Sequence, residues 1–261
     1  MEKEHEKLEA KSLSEFIKIV DSIQTRWTEK EDAYVYPWFR GHSQCTHKLI
    51  PGLYRNDKLA ENENSYRHDF HQKAFPFLAD STYNVVPSSN WEWYFVMQHY
   101  GLPTRLLDWT EGSLIALYFA LFYKNDNDES NPCVWAMNPF DFNRQLHNRE
   151  EIFLFSDAKV RSYLHDIWSG ESLPKKPLLF QPPHNSKRIS AQKGCFIIFG
   201  SNTIPLEEIP ELKDCLIKIE IKYYYIDLIK SELVMAGITE STLFPELSGL
   251  ARELKEYWKL D

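Results

Sequence analysis

Two short stretches of this 261-residue chain set ionisable side chains among aromatic ones: Trp38-Phe39-Arg40-Gly41-His42, and residues 91–122, which read WEWYFVMQHYGLPTRLLDWTEGSLIALYFALF. The types are those of a binding or catalytic site. An arginine presents a planar fork of donors that grips phosphate or carboxylate, as Arg40 and Arg105 can. His99 can hold or move a proton near neutral pH, and the open N–H groups of a helix beginning near Ser113 favour an anion. An unpaired buried Arg or Asp is expensive, so Arg105 and Asp108 must pair, meet a ligand or stand at a cleft edge. The competing interpretation is equally physical: these ions, with Arg188, form a buried network that orients helices and does no chemistry. His99 can equally be a capping imidazole at a helix end. Trp38, Trp91, Trp93 and Trp109 are by default core residues, and by the sharper reading a platform for a nucleobase. His68 and His71 have helical spacing compatible with a metal, but no third ligand is signalled, and a solvated helix face is the expectation.

Local patterns supply the elements that position these groups. Ser12-Leu13-Ser14-Glu15 fits a capping box before apolar residues at helical spacing, predicting a helix over about 13–28. Residues 34–40 read as a strand that delivers Arg40 to its carboxyl end, Pro51-Gly52 as a turn, and 56–64 as a polar loop. An amphipathic helix is expected from 64 to 79, ended or kinked by Pro76, and another from 91 to 100, stopped at Gly101-Leu102-Pro103. A short strand over 105–109 leads through Thr110-Glu111-Gly112-Ser113 into a helix apolar almost all round, expected to be the most buried. Residues 133–138, 194–200 and 216–223 read as strands, 139–187 carries no clear pattern, and the tail from 222 turns helical, with Gly237 as a cap and a last helix after Pro245. Helices and strands intermix without regular βα alternation. The expectation is an α+β fold, one domain with a mixed or antiparallel sheet and several packed helices, preceded by an N-terminal helical segment over 1–30.

Bulk properties bound the function. With 43% hydrophobic and 15% aromatic residues the chain can bury a large core. The formal net charge of −8 disfavours broad binding to nucleic-acid backbones. Cys45, Cys133, Cys195 and Cys215 stand far apart with no CxxC spacing, as reduced structural thiols would. The longest apolar run is too short to span a bilayer and the start is charged, so no membrane partner and a cytoplasmic location are expected. The Walker, GxGxxG and GxSxG motifs are missing, and no metal is expected.

WFRGH and QHYGLPTRLLDWT, with LIALYFA, RISAQKGCF over 188–196 and GITESTLFPELSGLA over 237–251, resemble the FRG domain family, named for its Phe-Arg-Gly motif. The resemblance spans about Tyr36 to Leu254, placing an FRG domain at 31–261, and implies a bacterial, phage-defence type of context. The order of Arg40, the turn at 108–113 and the helix after it is also similar to ADP-ribosyltransferases, and Ala116-Leu117-Tyr118-Phe119-Ala120 is similar to a Tyr-Phe-Ala stretch in that class. The similarity implies NAD as cofactor, with catalytic positions at Arg40, His99, Arg105, Asp108 and Gln192, and cofactor contacts at Arg40, Gly41, His42, Tyr100, Trp109, Ser113, Tyr118 and Arg188. Arg40 and Arg105 would hold phosphates, His99 or Asp108 would orient the ribose, and Tyr100 or Trp109 would pack on nicotinamide. One departure stands out: where that class carries a late-strand glutamate, the segment 188–192 presents Gln192, leaving Asp108 or Glu111 to supply the charge. The expected function is an ADP-ribosyltransferase-like, NAD-binding effector of a phage-defence or toxin system, with a nucleotide as ligand and a macromolecular acceptor (protein or nucleic acid) or an antitoxin as partner. The alternatives are a non-catalytic sensor of a nucleotide or phage component, and a nucleic-acid-cleaving toxin.

Overall fold

The computed structural model describes residues 5–78, 87–124, 130–169, 174–183 and 186–260. The strands are β1 (Lys7–Ala10), β2 (Trp38–His42), β3 (Leu106–Thr110), β4 (Cys133–Met137), β5 (Phe153–Leu154), β6 (Leu178–Gln181), β7 (Gly194–Ile198) and β8 (Leu216–Ile221). The helices are α1 (Leu13–Glu31), α2 (Asp57–Glu61), α3 (Glu63–Lys73), α4 (Phe75–Leu78), α5 (Asn90–His99), α6 (Ser113–Phe122), α7 (Pro139–His147), α8 (Ala158–Ser169), α9 (Lys187–Ala191), α10 (Ile226–Met235), α11 (Glu240–Leu243) and α12 (Leu247–Trp258). One sheet runs in the order β1-β8-β4-β2-β3-β7-β6-β5. β1 with β8 and β5 with β6 are parallel; every other adjacent pair is antiparallel. The α+β expectation with a mixed sheet therefore holds. Among the described residues, no helix is long and apolar enough to cross a membrane.

Local chemistry explains the elements around the site. Ser12 caps α1 by accepting from the Glu15 N–H at 3.2 Å, while the Glu15 carboxylate accepts from the Lys11 N–H instead of closing a reciprocal box. Ser89 caps α5 by accepting from the Glu92 N–H, and Gly101, at φ 82°, ends it in a left-handed turn that an L side chain would strain. The expected strand over 34–40 begins four residues later, at Trp38, and continues through Gly41 and His42. The helix expected over 64–79 breaks into α3 and α4 around Ala74. β1, in a stretch too charged to signal a strand, joins the sheet beside β8. With α1, whose Phe16, Ile23 and Trp27 are buried, it belongs to the same core as β2, α6 and α10.

The centre of the sheet is where the architecture becomes functional. β2 and β4 are paired along five residues, and so are β3 and β7, but β2 and β3 share the single register pair Phe39↔Thr110. Directly paired residues share a face. On the Phe39 face one apolar cluster, built with α1, α6 and α10, covers the β2-β4-β8 half. A second, built with α5 and α8, covers the β3-β7-β6 half. The opposite face packs Trp38, Trp109, Trp135 and Phe142 into a third. A seam is left between the first two clusters, where β2 and β3 diverge.

Candidate functional site

A cavity of about 400 Å³ opens at this seam, within the range of small-molecule sites. The motif Phe39-Arg40-Gly41 builds one wall, each residue in its own direction. Phe39 enters the core. Gly41 faces α6 so closely that an added Cβ would stand 2.0 Å from the Ala116 carbonyl oxygen and 2.7 Å from the Ala120 nitrogen, so only glycine permits the approach. Arg40 leaves on the opposite side from both, and its guanidinium donates to the backbone carbonyl of Asp108 across the gap. Its Nη1 lies 3.9 Å from Asp108 Oδ2, and its Nε donates to His42 Nε2 at 3.1 Å. Burial brings the Arg40 pKa down to about 10, against the raising influence of Asp108. Burial foremost, with Arg40 and other cations, holds His42 at about 2, so its ring is neutral.

The opposite wall comes from α5 and β3. Asp108 is the exposed residue of β3, its side chain 57% accessible, and it is the only carboxylate among the described residues that line the cavity. A relay fixes it. The Leu106 N–H donates to Thr104 Oγ1 at 3.1 Å, the Thr104 hydroxyl donates to Gln98 Oε1, and Gln98 Nε2 donates to Asp108 Oδ2 at 2.8 Å. Because Thr104 takes the amide oxygen, the amide nitrogen is turned to the carboxylate.

The floor is contributed by α9 and the residues after it, backed by the segment around the end of α11. Arg188 Nη1 donates to the His99 carbonyl at 3.2 Å and its guanidinium packs 4.7 Å from the centre of the Phe244 ring. Gln192 Nε2 donates to the Leu243 carbonyl at 3.2 Å, and the Thr110 hydroxyl donates to the Gln192 carbonyl at 2.7 Å. His99 stands 3.8 Å from Glu246, and burial and Arg188 lower its pKa. Phe95, stacked on Phe196 at 5.5 Å, and Phe119 with Tyr123 add aromatic surface.

Of the residues expected at the site, the cavity gathers Arg40, Gly41, His42, His99, Asp108, Trp109, Arg188 and Gln192. Arg105, Ser113, Tyr100 and Tyr118 are not in its wall. Arg105 is turned away into a buried pair with Glu63, which also accepts from Tyr94. Tyr118 is buried in the core and donates to Glu240 at 2.7 Å. Tyr100 lies half-exposed past the end of α5, against the His99 ring. Ser113 starts α6 outside the lining. Glu111 is bonded to Gln181 at 2.9 Å and is likewise outside, so of the two carboxylates considered only Asp108 faces the cavity. The segment holding Gln192 is helical, not extended, because Ser186 caps α9 by accepting from the Ile189 N–H. Of the aromatic platform, Trp38, Trp91 and Trp93 are core and only Trp109 touches the cavity. His71 packs against Trp93 at 4.6 Å. All four cysteines are free thiols.

Sequence reasoning missed Arg55, His47, Ser43, Gln98 and Tyr123. Gln98 had a signal, its place beside His99 in the motif. Arg55 had none, since it follows a turn in a polar stretch. No residue of 139–187 lines the cavity among those described.

The geometry defines a class of protein first: a mixed α+β domain whose split central sheet carries an arginine-rich cavity. The model of the FRG domain matches residues 35–129, and the chain carries that domain. The match covers β2, α5, β3 and α6, hence the Phe-Arg-Gly wall and the Gln98–Asp108 relay. No curated protein and no solved structure gives a significant match.

Proposed function

We propose that the seam cavity binds a nucleotide through its phosphates, and that NAD is the ligand of first interest. The observation that carries this reading is the charge balance of the lining: among the described residues, Arg40, Arg55 and Arg188 stand against the single carboxylate of Asp108, with Phe95, Phe119 and Tyr123 for a ring. Guanidinium forks match phosphate oxygens, and partly buried cations with too few anions are relieved by an anionic ligand. The finer reading is an ADP-ribosyltransferase-like effector of a defence or toxin system. In it Asp108, held by Gln98, would supply negative charge beside the ribose. Its support is the motif order together with the place of Asp108 in the cavity.

One observation favours a second reading, a sensor that binds the nucleotide without turnover: Gln192 in the wall is neutral and already engaged with the Leu243 carbonyl. Calorimetric titration with NAD, ADP-ribose and ATP tests the site, on the natural chain and on Arg40→Ala after its fold has been checked by melting. Saturable binding, weakened about tenfold or more in the variant, is expected. A natural chain that binds none of the three overturns the reading. Release of nicotinamide from NAD by the natural chain separates transferase from sensor.

A further inference from the structure

The cavity is chemically two-ended. At one end stand Arg40 and His42 of β2 with Ser43, His47 and Arg55 from the chain that follows. Arg40 Nε is always a donor, so its contact with His42 Nε2 makes that nitrogen the acceptor and places the ring proton on Nδ1. His42 is only 5% exposed, and its Nδ1 is buried without a hydrogen-bond partner. A buried N–H with no acceptor is costly. Arg55, exposed at the end of the 3-10 turn Gly52–Arg55, is tied among the described residues only by 3.4 Å contacts from Nε and Nη2 to the Ile50 carbonyl. Its charge is felt by both Arg40 and His42, lowering the pKa of each. Two guanidinium groups thus stand beside the His42 ring at one corner, where the acid contact among the described residues is the loose 3.9 Å approach of Asp108 to Arg40. At the other end Arg188 is already committed to the His99 carbonyl and the Phe244 ring, beside Phe119 and Tyr123.

We infer that Arg40 and Arg55, beside the neutral ring of His42, form a subsite for the diphosphate of a nucleotide, whose ring then lies across the seam against Phe95, Phe119 and Tyr123. This rests on the reading of the cavity as a nucleotide site and fixes the direction in which the ligand lies. Arg55 is the specific new assignment: it takes the second phosphate, the role that Arg105 cannot fill from its buried pair.

Titration with ADP-ribose and with inorganic pyrophosphate, on the natural chain and on Arg55→Ala, decides it. Arg55 is exposed, so the variant is expected to melt as the natural chain does. The expected result is a loss of about ten- to a hundredfold in affinity for both probes, only partly restored in Arg55→Lys, which keeps the charge but not the fork. ADP-ribose bound equally by the natural chain and by Arg55→Ala overturns the subsite and leaves the nucleotide reading standing. A natural chain that binds neither probe overturns the subsite, and one that binds neither NAD nor ATP as well overturns the nucleotide reading with it.

Discussion

Arg105 and Glu63 form a buried ion pair, with guanidinium Nε and Nη2 donating to one carboxylate oxygen at 2.8 and 2.5 Å. Tyr94 closes the set: its hydroxyl donates to Glu63 at 2.9 Å and accepts from the Arg105 N–H at 2.7 Å. The side chains are 10% and 4% exposed. Arg105→Met strands the Glu63 charge, and the expected cost is about 3–5 kcal/mol of unfolding free energy. Denaturant melts of Arg105→Met and of the double variant with Glu63→Leu check this. The double variant recovers much of the loss, and recovery failing to appear would count against a simple charge pair.

Gly41→Ala tests the close approach of β2 and α6. The new methyl meets backbone atoms of Ala116 and Ala120, which cannot rotate aside. The helix must move off the strand, at a cost of about 1–3 kcal/mol or more. A lowered denaturant midpoint together with weakened ADP-ribose binding is expected; an unchanged midpoint would show that β2 and α6 have room for a methyl group between them.

Acid should destabilise the fold through its neutral histidines. His42 has its pKa lowered from 6.5 to about 2 chiefly by burial, so the unfolded chain takes up a proton that the folded one refuses. Its stability contribution is intact above pH 6.5 and declines as pH falls toward 2, by about 2 kcal/mol at pH 5. His99 and His147, also lowered by burial, act in the same direction. Urea melts at pH 7.5 and pH 5 measure the slope, and His42→Gln flattens it. A flat profile for the natural chain contradicts the neutral burial of these rings.

Asp108→Asn removes the one carboxylate of the lining among the described residues but keeps an oxygen for the Gln98 amide. An anionic ligand then loses a repulsion, and ADP-ribose binding should tighten about two- to tenfold, a modest gain because the group is half-exposed and screened. Calorimetry reads it directly. Weaker binding would instead place the carboxylate in contact with the ligand.

Much of this fold is written locally. Ser89 and Gly101 bracket α5, alternating Ile217, Ile219 and Ile221 mark β8, and the all-round apolar surface of α6 announces its burial. What escaped depends on distant partners. β1 has no apolar alternation of its own and exists through its parallel pairing with β8, more than 200 residues later. Half of the site could be read because Arg40, Gly41, His42 and Asp108 lie in motifs whose charge sits among aromatics. Arg105 sits in the same motif yet is structural, because Glu63 lies 42 residues upstream at the edge of a polar stretch, a distance no local pattern crosses. Arg55 escaped for the converse reason: its neighbours in sequence are ordinary and only the fold places it beside Arg40.

The three residues of the Phe-Arg-Gly motif amount to a cross-section of the molecule. Phe39 belongs to the interior, Arg40 to the cavity and Gly41 to the packed helix, in strict alternation along one strand. A strand's two sides are exchanged by a slip of one residue. An insertion or deletion in β2 ahead of this triplet would drive a guanidinium against α6 and turn Phe39 and Gly41 to the side that Arg40 now holds, so the spacing of this triplet is as much a part of the site as its chemistry.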